Sequence, residues 1–365
     1  MGALIFILIL IVLVLAHEWG HYITAIKYGV KVMEFGFGFP PRAKVLGKKG
    51  DTEFTLNWIP FGGFVRIFGE DPNDKLEEGE DKKRAFYNQS HKRQIVVLSA
   101  GVACNFLLAV LLFTGAFSMG VPVVKENLPA GYDAKEELTI TGVEGESVAE
   151  ISGVLAGDRI VSIFNEKTGI LISEPSTEEF LSVVRSSEDE NLSLGLERKG
   201  KEMFVDVTPK VEEEGLPRIG VSLEELSILK LPVHKAFIYS VGSSIRITGD
   251  ITLAIANLIG DAVTGKGSLE GLSGPVGIAN ATGEASSLGF SYILILAAIL
   301  SLNLAIVNLL PFPALDGGRI VIALFEGTFR KKAHPGIVQT ANTVGFFLLI
   351  GLMILITWHD IKVLF

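Results

Sequence analysis

The chain contains a single cysteine, Cys104, so it can form no internal disulfide, and cysteine usage gives no indication of its compartment. It also lacks a basic excess. Its 32 Lys and Arg face 41 Asp and Glu, and a net charge of −9 gives nucleic acid no electrostatic reason to bind. Residues 2–16, GALIFILILIVLVLA, have no polar side chain. Hydrophobic residues make up 48% of the 365 and fall in clusters, the pattern of a membrane protein with a soluble insert.

Four stretches meet the requirement of about 20 apolar residues for a bilayer span: 3–25, 95–119, 289–310 and 341–358. The first has no basic residue ahead of it and no convincing cleavage site, which disfavours a signal peptide. Lys27, Lys31, Lys92 and Arg93 mark the link between the first two spans, and Arg330, Lys331 and Lys332 the link between the last two. Both links are therefore expected in the cytoplasm, with residues 120–285 and both termini outside. A fifth apolar stretch, 236–260, carries Arg246 and Asp250 one helical turn apart. It is expected to be an amphipathic helix on the outer surface rather than a span.

The first span ends in LVLAHEWGHYI. On a helix, HExxH brings His17 and His21 to one face with Glu18 beside them. Imidazoles suit zinc, and a catalytic zinc takes three protein ligands and a water whose pKa falls to about 7. Glu18 is then placed as general base. Ionisable groups inside a membrane segment are expensive and usually functional; the bland alternative is that these three sit in the headgroup region.

A third ligand is expected from SLNLAIVNLLPFPALDGGRI, where Pro311 and Pro313 break an apolar helix just before Asp316. Non-helical backbone at membrane depth needs surrounding protein or a water-filled cavity, which places Asp316 in a cavity. Asn308 is open to two roles: donating to a developing oxyanion, or only satisfying backbone freed by the prolines. Depth is consistent with one site. His17 follows about 15 apolar residues, or about 23 Å of helix, and the third span also runs inward. If 236–260 were a span, Asp316 would emerge at the opposite face.

HEWGH, FGFGFP, IPFGGFVRIFGE, AGVACNF, GPVGIA and NLLPFPALDGG together resemble the site-2 protease family of intramembrane zinc metalloproteases, most closely its bacterial branch with extracytoplasmic PDZ domains. The resemblance extends over nearly the whole chain. It implies Zn2+ held by His17, His21 and Asp316, Glu18 as general base, and Asn308 holding substrate or stabilising the intermediate. One departure is Val102, where the family commonly has proline, and it bears on where the local helix starts.

The implied fold is a polytopic α-helical membrane protein with four transmembrane helices, a membrane-associated β-hairpin region and one extracytoplasmic, mainly β, PDZ domain. Its expected division is 1–26 for the first span, 27–92 for the cytoplasmic link with the hairpin, and 93–120 for the second span. The PDZ domain takes 121–225, the amphipathic helix and GPVGIA segment 226–285, and the last two spans with the LDG motif 286–365. Strand patterns RAKVL, TEFTLNW and GGFVRIF mark the hairpin, with GKKGD as its turn. Its edge, with Phe61, Gly62 and Gly63, is expected to accept an unwound substrate strand; the alternative is a hairpin that only seals the site. Residues 70–84 read as a solvated loop. His91, His234, His334 and His359 lack ligand-spaced companions, and Trp358 suits an interfacial anchor.

The implied activity is hydrolysis of peptide bonds in or near the transmembrane segment of single-span membrane proteins, such as anti-sigma factors or remnant signal peptides. Expected partners are these substrates, the lipid bilayer and an upstream site-1 protease acting on the same substrate. The expected location is the inner (cytoplasmic) membrane, multi-pass, with the active site towards the cytoplasm. The rival class is a membrane-embedded PDZ scaffold with a structural metal; an oriented glutamate disfavours it, since a structural site needs no base. A metal transporter would need ionisable groups along several spans, and the second and fourth have almost none.

Overall fold

The computed structural model describes residues 2–70, 81–129, 131–132, 135–198, 200–211, 215–265 and 272–364. Most of the loop expected at 70–84, residues 71–80, lies outside them, as do residues 269–271 ahead of GPVGIA. The chain forms two compact units, Met1–Ser118 with Pro232–Phe365, and Met119–Leu231.

In the first unit, four helices among the described residues are long and apolar enough to cross a membrane: Gly2–Lys27, His91–Met119, Phe290–Leu309 and Pro335–Lys362. The first ends because Gly29 adopts φ +75°, so that Val30 N–H reaches back to the Ala25 carbonyl at 2.9 Å and closes the helix. The second runs unbroken through Val102, whose backbone N–H lets the helix continue where proline would interrupt it. The third stops at NLLPFP, where Pro311 and Pro313 cannot continue the hydrogen-bond ladder. After a turn with Ala314 at φ +72°, a new helix, Asp316–Phe329, starts at Asp316 itself. The fourth begins at Pro335, ahead of the expected 341.

The hairpin pairs Val32–Lys49 with Thr52–Ile67, starting ten residues before RAKVL. Its register makes it wider than two strands. Residues 52–57 pair with 42–49 on one side and 32–37 on the other, and 32–37 pair in turn with 63–67. The segment 63–67 is therefore an edge. Phe35, Val32 and Ile67 pack with Tyr22 and Ala25 of the first span and Val97 and Leu98 of the second.

The stretch around 236–260 lies in a 31-residue helix, Val233–Val263, whose Tyr239 ring meets Phe117 at 4.8 Å. GPVGIA opens a further helix, Pro275–Leu288. The buried Asp360 carboxylate accepts Gly274 N–H at 3.1 Å and Gly277 N–H at 2.8 Å, which satisfies donors a helix start leaves open.

The second unit is a β-domain with strands in the order Val121–Val124, Val221–Leu229, Glu136–Val143, Arg159–Asn165, Leu192–Arg198 and Lys201–Val207. Strand Val221–Leu229 runs past residue 225 because its end pairs with 121–124. Helix Thr177–Ser186 is started by a capping box of Ser176 and Glu179 and buries Phe180 against Ile140, Ile163 and Leu194.

Asp158, fully buried after LAG, accepts Arg198 Nε and Nη2, each at 2.6 Å, and Leu155 N–H at 2.9 Å. Asp158→Ala removes the acceptor of all three hydrogen bonds and is expected to destabilise this unit by about 2 kcal/mol. Urea-dependent proteolysis of the full-length protein measures it; an unchanged midpoint would show that the turn is held by other contacts.

Candidate metal centre

The four-residue spacing of His17 and His21 brings their Nε2 atoms to 3.0 Å, with the rings edge to face. Asp316 Oδ2 lies 3.0 Å from His17 Nε2 and 3.2 Å from His21 Nε2. Two imidazoles and a carboxylate thus converge from positions 299 residues apart. They are the one group of three or more metal-binding side chains among the described residues. The other histidines stand apart from it, and His91 is merely 3.9 Å from Glu326.

The second span makes this convergence possible. A Cβ on Gly20 would lie 2.3 Å from the Ala100 carbonyl oxygen, and one on Gly101 would lie 2.5 Å from His21 Nε2 and 2.7 Å from His17 Cε1. The two helices therefore cross on glycine, and both rings come close against bare backbone. His21 Nδ1 is 2.9 Å from the Val97 carbonyl oxygen. A carbonyl can only accept, so Nδ1 carries the hydrogen and Nε2 is left with its lone pair turned to the centre.

This donor set fits zinc. Ligands about 2.0–2.1 Å from a tetrahedral zinc lie roughly 3.3 Å from one another, close to the separations found. Borderline-soft nitrogen with one carboxylate oxygen is zinc chemistry rather than calcium or magnesium chemistry.

Glu18 does not join the three donors. Its Oε2 accepts the Val65 N–H of the hairpin edge at 3.0 Å, which places it at the wall of a cavity of about 290 Å³. His17, His21, Asn308 and Asp316 line the same cavity, and Arg319 pairs with Glu70 at its rim. The turn before Asp316 is fastened by Asn342, whose Oδ1 accepts Ala314 N–H at 3.1 Å.

The five expected polar residues thus share one cavity. Of the hairpin's second strand, Phe64, Val65 and Ile67 line the cavity, directly after the expected Phe61, Gly62 and Gly63 in the chain. Gly63 has a packing reason, since a Cβ there would lie 2.8 Å from both Gly36 O and Leu15 Cδ2. The sequence reading missed Val65, Val97, Gly101 and Asn105. The last two were visible in AGVACNF as a glycine and an asparagine four apart, one helix face, but neither type announces a metal site.

A model of peptidase family M50 matches residues 5–352. This chain belongs to peptidase family M50. It is 33% identical to a protein of Clostridium perfringens, provisionally named a zinc metalloprotease, over 96% of this chain and 95% of that one. It is 31% identical to zinc metalloprotease RasP of Oceanobacillus iheyensis over 99% of this chain and 98% of that one. Among solved structures, a PDZ domain of an SdrC-like protein from Listeria monocytogenes aligns at 21% identity with a TM-score of 0.20. It covers 26% of this chain and 93% of that one, a likeness too slight to carry the fold.

Gly101→Val is expected to push both imidazoles off the centre and lower zinc affinity on the order of 10- to 100-fold. Competition with a chromophoric chelator measures it, and parental affinity in the variant would mean that the crossing does not set the ligands.

Proposed function

We propose that this M50 peptidase is a zinc-dependent intramembrane endopeptidase that cuts single-span membrane proteins in or near their membrane segment. His17, His21 and Asp316 would hold the zinc. The observation that carries the reading is the meeting of these three donors, with Glu18 adjacent, in a cavity among apolar helices. Zinc, when bound, polarises the scissile carbonyl and lowers the pKa of a water.

The protein's own residues supply the remainder. Glu18 takes the proton of the attacking water on a carboxylate oxygen and returns it to the leaving nitrogen, so that no charge is left on either fragment's reacting atom during C–N cleavage. Its hydrogen bond from Val65 N–H fixes where that carboxylate points. Asn308, which lines the same cavity, donates its side-chain amide to the carbonyl oxygen as negative charge develops.

A peptide bond inside a helix is shielded, so the substrate must unwind before attack, and its freed N–H and C=O groups then need partners. Among the described residues, segment 63–67 has a strand partner on one side only, and its Val65 N–H already points at the general base. A substrate strand added there lies beside Glu18, with Phe61, Gly62 and Gly63 leading the edge to that point. The contact of Asp316 with both histidines supports four spans, with helix Val233–Val263 lying on the outer surface, because a fifth span would reverse the third. The basic links favour an active site towards the cytoplasm, with the β-domain, read as a PDZ domain over 121–225, outside. Anti-sigma factors and remnant signal peptides, left by an upstream site-1 protease, are the substrate classes this arrangement suits.

Glu18→Gln is expected to abolish cleavage of a single-span substrate in detergent while zinc stoichiometry stays near parental. Cleavage at the parental rate would remove Glu18 from the chemistry. Asp316→Asn is expected to lower zinc content, since an amide is a poor ligand in a carboxylate position; unchanged content would take residue 316 out of the ligand set. Thiol labelling of single cysteines near 17 and 316 should report the same membrane side, and opposite sides would overturn the four-span arrangement.

A further inference from the structure

Asn105 lies one helical turn beyond Gly101 on the second span and is fully buried. Its Nδ2 is 3.5 Å from His17 Nδ1, and its Oδ1 has no hydrogen-bond partner. Ser301 of the third span, also fully buried, donates from Oγ to the Asn105 carbonyl at 2.8 Å and anchors the backbone there. A buried amide with an idle oxygen is costly in an apolar bundle, and an aliphatic residue of the same size would avoid that cost.

Imidazole chemistry supplies a reason. His17 turns Nε2 to His21 and Asp316, so a metal at the centre takes the Nε2 lone pair and the ring hydrogen sits on Nδ1. Metal-binding histidines hold that second N–H against an acceptor, which fixes ring and tautomer together. His21 has the Val97 carbonyl for this purpose. For His17 Nδ1, the partner found among the described residues is the Asn105 amide. An amide carries a donor and an acceptor on one planar group, and half a turn about its terminal bond exchanges them.

We propose that Asn105 is a positioning residue for the metal: its amide holds His17 in either tautomer, reversing so that Oδ1 accepts Nδ1–H when the site is loaded. This rests on the reading of His17 as a zinc ligand. Without metal, His17 Nε2–H faces Asp316 and Nδ2 donates to the bare Nδ1, the arrangement found here. With metal, the presently idle Oδ1 gains its partner. A carboxylate at 105 would serve only the loaded form and would bury a second negative charge near Asp316.

The test uses the full-length protein in detergent, titrated with zinc against a chromophoric chelator and with Co2+ for its visible spectrum. Asn105→Leu is expected to lower zinc affinity about 10- to 100-fold and to alter the Co2+ spectrum, with parental thermal unfolding of the metal-free protein. Asn105→Ala carries the same expectation if leucine prevents folding. Asn105→Asp, which keeps an acceptor, should restore affinity to within a few-fold of parental. Ser301→Ala loosens the same helix contact without touching His17 and should leave affinity unchanged. Parental affinity in Asn105→Leu or Asn105→Ala overturns the proposal, as does an equal loss in Ser301→Ala, which would make the role one of packing. A parental protein that binds no zinc would sink the metal reading itself, and this inference with it.

Discussion

Carboxylates and imidazoles do not stay among apolar helices unless they satisfy one another. An ionised carboxylate at the centre of a membrane helix costs roughly 2.5–3.5 kcal/mol. Glu18 and Asp316 together would therefore consume much of a typical stability of about 5–15 kcal/mol. The remedy is convergence: Asp316 with the two histidines, and Glu18 with a backbone donor of the hairpin. Much of the first unit serves that convergence. Glycines 20 and 101 let two helices touch, and Asn342 fastens the turn before Asp316.

The break at 310–315 joins stability to function. A continuous helix would satisfy its own backbone and leave no room for water. The proline-interrupted one ends in a turn, restarts at Asp316 and leaves a cavity bounded by the hairpin edge. The hairpin contributes one strand with an open side and, through Val65, the donor that orients Glu18. On the proposed mechanism, substrate backbone and general base are referred to the same strand, so unwinding and attack become one geometric problem.

The inserted β-domain is held on different terms. Its core of Ile140, Ile160, Ile163, Phe180 and Leu194 needs no membrane, and its strands at 121–124 and 221–229 pair at the point where the chain enters and leaves. Ion pairs such as Asp158 with Arg198 fix its turns rather than any chemistry.

The sequence by itself determined the elements whose signal is local. Apolar runs of span length, HExxH at helical spacing, and paired prolines ahead of Asp316 each follow from residue type within a few positions. So did the turn of the hairpin, where GKKGD separates two alternating stretches. The tertiary structure decided what depends on distant contact. FGFGF gave no hint that residues 32–37 would lie between two halves of one later strand, because that register is set by packing on Tyr22 and Val97. Nor could AGVACNF disclose that its glycine would carry two imidazoles and its asparagine approach Nδ1 of His17. Glycine and asparagine have no charge or periodicity to betray them; their meaning arises only when another helix comes within van der Waals distance.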